Sequence, residues 1–157
     1  MNAIDKDLWS PLLNSSREGN AELVKKLLSK NANIERKDMG GFTPLIWACY
    51  KNHVEIVRLL ICNGANVNAQ CNNSISCLSW AAGRGYYEVV CELLKKDYIK
   101  VNSQDRNSST PLLWAARKGS LDVCEALIQR GANPELIGNN IIILTCLKEI
   151  VDHQIRN

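Results

Sequence analysis

Three tryptophans, each with a cation close behind it, are the residues of this chain whose type and spacing best suit chemistry. Trp47, Trp80 and Trp114 stand in the stretches TPLIWACYK (43–51), SCLSWAAGR (76–84) and TPLLWAARK (110–118). A positive side chain lies three or four residues beyond each indole: Lys51, Arg84, and the pair Arg117 and Lys118. On a helix that spacing forms one face. An indole offers apolar area and a π face for a cation, and a guanidinium offers a fork for a carboxylate. This is the chemistry of recognition. A fainter fourth copy, SPLLNSSRE at 10–18, has Asn14 in place of the indole, with Arg17 and Glu18 beyond it.

Other reactive residues are not arranged for catalysis or metal binding. His53 and His153 have no nucleophile or metal-ligand partner at a motif spacing. The GRG at 83–85 falls at a helix-to-loop junction and makes no phosphate loop. The seven cysteines, at 49, 62, 71, 77, 91, 124 and 146, form an odd set without a C-x-x-C pair. They read as reduced thiols, and Cys49, Cys91 and Cys124 sit in apolar helical patterns as small hydrophobes. Reduced thiols point to the cytoplasm. The chain is therefore expected to be non-enzymatic, with no cofactor and no metal. Nineteen Lys and Arg against sixteen Asp and Glu give +3, too mild to imply nucleic acid by itself. The longest aliphatic run, Ile141 to Leu144, is far short of a membrane span, and MNAIDKDLWS lacks the apolar core of a secretory signal.

Helices must hold these stripes, and the sequence supplies them at a fixed period. Leu12, Leu45, Leu78 and Leu112 are 33, 33 and 34 residues apart, and Ile34, Val67, Val101 and Pro134 are 33, 34 and 33 apart. The extra residue lies between Leu78 and Val101, in KKDYIKVN. A period near 33 is the mark of a helical-pair solenoid. Thr43 and Thr110 suit helix caps, with Pro44 and Pro111 in the first turn. Gly19, Gly85 and Gly119, with Asn52 as a substitute, suit left-handed ends of the first helices. The second helices carry paired apolar residues: Leu23-Val24 with Leu27-Leu28, Ile56-Val57 with Leu59-Leu60, Val89-Val90 with Leu93-Leu94, and Val123-Cys124 with Leu127-Ile128. Gly64 and Gly131, with Asn31 in the first unit, close them, and DMGG and DRNS supply turn residues. Glu22, Glu55, Glu88 and Asp122 fall near the start of each second helix and suit its dipole.

The pattern predicts a single all-α domain over 1–157. Its repeats run at about 5–37, 38–70, 71–104 and 105–137, and 138–157 forms an incomplete repeat or a cap. In that last segment Ile143, Leu147, Ile150 and Val151 could share one helical face over the exposed end of the stack.

TPL at 43–45 and 110–112, GANVN at 64–68 and GAN at 131–133 resemble the ankyrin repeat. The resemblance covers roughly residues 5–137. It implies an ankyrin-repeat solenoid of stacked helix pairs, with hairpin-like loops to one side and a protein partner bound in a concave groove. His53, in the loop after a first helix, matches an ankyrin histidine that supports turn geometry. The family's usual histidine after TPL is replaced by Leu13, Ile46, Ser79 and Leu113, so its loop hydrogen bonds do not carry over. DMGGFTPLIWACYK, WAAGRG and TPLLWAARKG are also similar to consecutive repeats of the kinase-D-interacting, ankyrin-repeat-rich membrane-spanning scaffold family. That resemblance implies recruitment of protein partners, at the cytosolic face of a membrane if the chain belongs to a larger scaffold.

The ankyrin resemblance puts the tryptophan stripe in the groove. The partner-binding residues expected there are Arg17, Trp47, Tyr50, Lys51, Trp80, Arg84, Trp114, Arg117 and Lys118. Trp9, Phe42, Ile75 and Ser109, each just before a cap residue, should project nearby. The expected partner is an extended protein segment with apolar side chains and at least one acidic group. Two readings of the tryptophans stay open: filling space between repeats, or filling space and touching a ligand. The alternative function is a weak anion or nucleic-acid binder on the same basic stripe, marked by salt dependence without peptide selectivity. Val67-Asn68 with Leu60, and Val101-Asn102 with Leu94, also resemble substrate sites of the cytosolic asparaginyl hydroxylase. Asn66 and Lys100 stand where those sites carry an acidic residue.

Overall fold

Ser10, Thr43 and Thr110 each precede a proline, and a helix starts at each of them in the computed structural model, which describes residues 10–137 and 141–157. The three hydroxyls accept from the N–H of Leu12, Ile46 and Leu113, each at 3.2 Å. Such a cap is worth about 1 kcal/mol. In chain order the helices are α1 (Pro11–Glu18), α2 (Ala21–Ser29), α3 (Pro44–Tyr50), α4 (Val54–Cys62), α5 (Cys77–Gly83), α6 (Tyr87–Leu94), α7 (Pro111–Lys118), α8 (Leu121–Gln129) and α9 (Ile141–Arg156). A 3-10 turn occupies Pro134–Ile137. Among the described residues there is no named strand, only the isolated bridge between Gln70 and Ser76.

The helix closures fall where the punctuation puts them. Gly19 ends α1 at φ +85°, and Asn52 takes the same left-handed conformation at +62°. Gly19 has a second reason to lack a side chain. A Cβ there would lie 2.7 Å from Cε1 of His53, whose Nε2 sits 3.0 Å from the Arg17 carbonyl. His53 thus ties the turn after α1 to the turn after α3, the role expected of it. Glu22, Glu55, Glu88 and Asp122 all occupy first turns of second helices.

The chain divides into two compact units, Met1–Cys77 and Leu78–Asn157. In the first, α1 packs on α2 and α3, and α4 packs on α2 and α3. Leu12, Leu13, Val24, Leu45, Ile46, Ile56, Val57 and Leu60 are buried, each contributing about 1.5–3 kcal/mol. Ala48 and Cys49 are buried beside them, where small side chains let helices approach. Burial pushes the Cys49 thiol well above its ordinary range, helped by the neighbouring Cys77 thiol. Cys49 is therefore a protonated core thiol, and Cys77 is buried beside it. Leu23 departs from its expected place: it is 39% exposed.

The loops of this unit form hairpin turns at 38–42 and 71–75. In each, the first residue donates to the carbonyl four positions on (Asp38 to Phe42 at 3.0 Å, Cys71 to Ile75 at 3.1 Å). Asp38 does more. Its Oδ1 accepts from the N–H of Gly40 and of Phe42, both at 2.9 Å. Cys71 cannot replace those bonds, since a thiol is a weak acceptor. Cys71→Asp should therefore raise stability by about 1 kcal/mol, by serving the N–H groups of Asn73 and Ile75. Urea denaturation of the variant checks this, and a lowered midpoint contradicts it.

In the second unit α8 packs on α6 and α7, and α9 lies against α7 and α8. The buried residues include Leu78, Ala81, Ala82, Val89, Val90, Leu93, Leu112, Ala115, Ala116, Val123 and Leu127. The extra residue of the third repeat is absorbed after α6. This helix has eight residues where α4 and α8 have nine, and a turn through Lys95–Tyr98 follows. The final segment forms one 16-residue helix in place of a fifth helix pair. It buries Leu147 and Ile150. The side chains of Ile143 and Val151, the other expected cap residues, lie outside the described residues.

Candidate partner-binding face

Each indole in the stripe needs an acceptor for its N–H if that edge is covered. Trp47 Nε1 donates to Asp38 Oδ2 at 2.8 Å, and Trp114 Nε1 donates to Asp105 Oδ2 at 3.1 Å. Each aspartate lies nine residues before its tryptophan, in DMGG or DRNS. Asp105 also accepts through Oδ1 from Asn107 N at 2.8 Å and Ser109 N at 3.0 Å. One carboxylate therefore shapes the hairpin turn and fixes the ring that follows. Loop and helix are joined by aspartate and indole, without the family's histidine. In the sequence DMGG and DRNS mark turns, and the shared distance of their aspartates from a tryptophan is the signal for this second role.

Trp47, Trp80 and Trp114 are half-buried. In the first unit Phe42 lies 4.8 Å from Trp47, and Tyr50 meets Trp47 edge-on at 5.7 Å. Phe42 and Tyr50 are 6.1 Å apart. The Arg17 guanidinium stands 5.6 Å over Trp47, and Lys51 Nζ is 5.7 Å from the Tyr50 ring. Arg17 also donates to Asn14 Oδ1 at 3.2 Å. Five of the expected residues thus form one cluster of three rings and two cations. Ile75 is buried within its turn. Trp9 lies outside the described residues.

In the second unit Trp80 and Trp114 are 6.3 Å apart and inclined at 36°. With Gly83, Arg84, Tyr86 and Lys118 they line an open cleft of about 500 Å³. Gly83 holds the stripe position that Tyr50 occupies one repeat earlier. A Cβ there would come within 2.8 Å of Trp114 Cε3, so the missing side chain lets Trp114 lie against α5. Arg117, also expected on this face, is exposed and donates to Ser109 Oγ at 3.4 Å. It does not line the cleft. Tyr86 is a cleft residue that helical spacing does not single out. It stands at the residue before α6, in the register of Asn20, His53 and Ser120, directly after the closing glycine, and its side chain makes no capping bond.

The two asparagines singled out for hydroxylation lie in the loops after α4 and α6. Asn102 Oδ1 accepts from Asn133 N at 2.8 Å, and its Nδ2 donates to the Gly131 carbonyl at 3.2 Å. Its amide thus joins two successive loops. Asn68 N donates to Asn66 Oδ1 at 3.0 Å within its own turn. Among the described residues no group of His, Cys, Asp and Glu could hold a metal ion. No described helix is long and apolar enough to cross a membrane.

Helix pairs at a 33-residue period joined by hairpin turns define a helical repeat protein. The family model for ankyrin repeats in three copies matches residues 1–71 and 66–137, and the chain belongs to the ankyrin-repeat family. Its fold class is the expected all-α ankyrin-repeat solenoid, and repeats of this kind are generally protein–protein interaction modules. A comparison with curated proteins gives no match.

Proposed function

We propose that the chain is a non-enzymatic interaction module, its four repeats forming one domain that binds an extended protein segment on the tryptophan-bearing helix face. The observation that carries this is the open cleft between Trp80 and Trp114, rimmed by Arg84 and Lys118. Tryptophan and arginine dominate binding hot spots. The Asp105 bond holds Trp114 in place before any ligand arrives, so little freedom is lost on association. The partner segment carries apolar side chains and an acidic group. The similarity of 38–51, 80–85 and 110–119 to the kinase-D-interacting scaffold family supports a scaffolding role, and reduced thiols support a cytoplasmic setting.

Selection from a random peptide display library tests this reading. Enriched peptides should combine apolar and acidic residues and should be poorly retained by a Trp80→Ala, Arg84→Ala double variant. Equal retention by the two proteins removes the reading. The same cations could serve a weak anion or nucleic-acid binder. That alternative wins if no peptide family is enriched and single-stranded oligonucleotides bind with a steep salt dependence.

A further inference from the structure

We infer that the Trp80–Trp114 cleft receives one aromatic side chain of the partner together with a carboxylate adjacent to it. This rests on the interaction-module reading and names the chemistry of its central contact.

The two aromatic clusters among the described residues differ in one respect. In the first unit three rings, Phe42, Trp47 and Tyr50, pack on one another and fill their face with the chain's own side chains. In the second, Trp80, Trp114 and Tyr86 line open space. Gly83 supplies no ring where Tyr50 supplies one. A cleft of about 500 Å³ falls in the range of about 300–1,000 Å³ typical of ligand pockets. That is ample for one aromatic side chain and its neighbour. A partner ring can meet an indole there edge-on or offset, as Tyr50 meets Trp47 in the first unit.

Charge decides what else the occupant carries. An aromatic-walled cleft is also the way proteins hold ammonium groups. Here Arg84 and Lys118 line the cleft, and no acidic side chain among the described residues does. A cationic occupant would be repelled, and discrimination of this kind comes from the unfavourable pairing as much as from the favourable one. An anion beside the ring gains from both cations. In the first unit Lys51, in the register of Arg84 and Lys118, lies 5.7 Å from a tyrosine ring. A cation in this register thus reaches a ring on this face.

The test uses four blocked peptides in a Gly-Ser frame, with central pairs Phe-Glu, Phe-Gln, Ala-Glu and Phe-Lys. Binding is followed through the indole N–H signals of the full chain by NMR titration. Phe-Glu should shift the Trp80 and Trp114 signals. Phe-Gln and Ala-Glu should each bind at least about ten-fold more weakly, and Phe-Lys should not bind. Lys118→Glu, an exposed change, should weaken Phe-Glu about ten-fold and leave Phe-Gln unaltered. Gly83→Leu should abolish binding; if it unfolds the protein, Lys118→Glu alone decides. Equal binding of Phe-Glu and Phe-Gln, or indifference to Lys118→Glu, overturns the inference. If selected peptides without an aromatic–acid pair bind in a Trp80-dependent manner, this inference falls while the module reading stands. If no selected peptide binds, both fall.

Discussion

Replacing Asp105 by alanine should destabilise the protein by about 3 kcal/mol, because one buried carboxylate serves three donors. Two are loop N–H groups, of Asn107 and Ser109, and the third is the Trp114 indole. Hydrogen bonds to a charged group are worth about 1.5–3 kcal/mol each. The three share one acceptor residue and do not add fully. Asp105→Asn keeps one acceptor oxygen for the loop but can oppose its amide N–H to the indole N–H, so its cost should be smaller. Trp114→Phe removes a single bond, and a double-mutant cycle with Asp105→Asn isolates the indole–carboxylate pair. The Asp38 counterpart is more exposed and should cost less. Urea denaturation measures all of these. An Asp105→Ala variant within about 0.5 kcal/mol of the parent would mean that backbone bonds alone hold the turn.

The second large effect concerns the last helix. Removing 139–157 should lower stability by at least about 2 kcal/mol and promote self-association. Leu147 is 9% and Ile150 4% exposed. Truncating a buried Leu or Ile to alanine alone costs about 2–5 kcal/mol. The faces of α7 and α8 that α9 covers would be opened to water, and uncapped repeat ends associate. Sedimentation velocity and thermal denaturation read the two consequences. A shortened protein that stays monomeric and equally stable would show that the segment is no cap. Ile150→Ala should fall between the two proteins, which separates lost packing from lost chain.

The architecture was legible because its determinants are local. A cap residue before proline, an apolar pair at helical spacing and a closing glycine or asparagine each act within one turn of chain. Their recurrence every 33 or 34 residues identifies the repeat. The candidate site was legible in part. The stripe of Trp47, Tyr50 and Lys51 and its successors follows from helical geometry. What the stripe touches does not, because it depends on neighbouring repeats and on loops folding back. Hence the aspartates read as turn residues also hold the indoles, and Arg117 turns toward Ser109 and away from the cleft. Gly83, an unremarkable helix residue in the sequence, makes room for a tryptophan 31 positions later. Tyr86 went unnoticed because it lies off the stripe, at a helix start. Of the two readings of the tryptophans, the packing role is visible in Trp47 and Trp114, whose N–H groups anchor loops.

Trp80 distinguishes binding from packing most directly. It has no aspartate nine residues before it, since Cys71 stands there, so its truncation should disturb the fold less than that of Trp47 or Trp114. The decisive measurement is the dissociation constant of one selected peptide for the parent, Trp80→Ala and Lys51→Ala, with thermal denaturation of each. Loss of a central hot-spot aromatic costs about 2 kcal/mol, roughly thirty-fold in affinity, whereas a peripheral charge costs less and mainly slows association. The account predicts a folded Trp80→Ala protein with about thirty-fold weaker binding, beside a Lys51→Ala protein within about three-fold of the parent. A Trp80→Ala protein that melts as the parent does and binds the peptide equally well would contradict it.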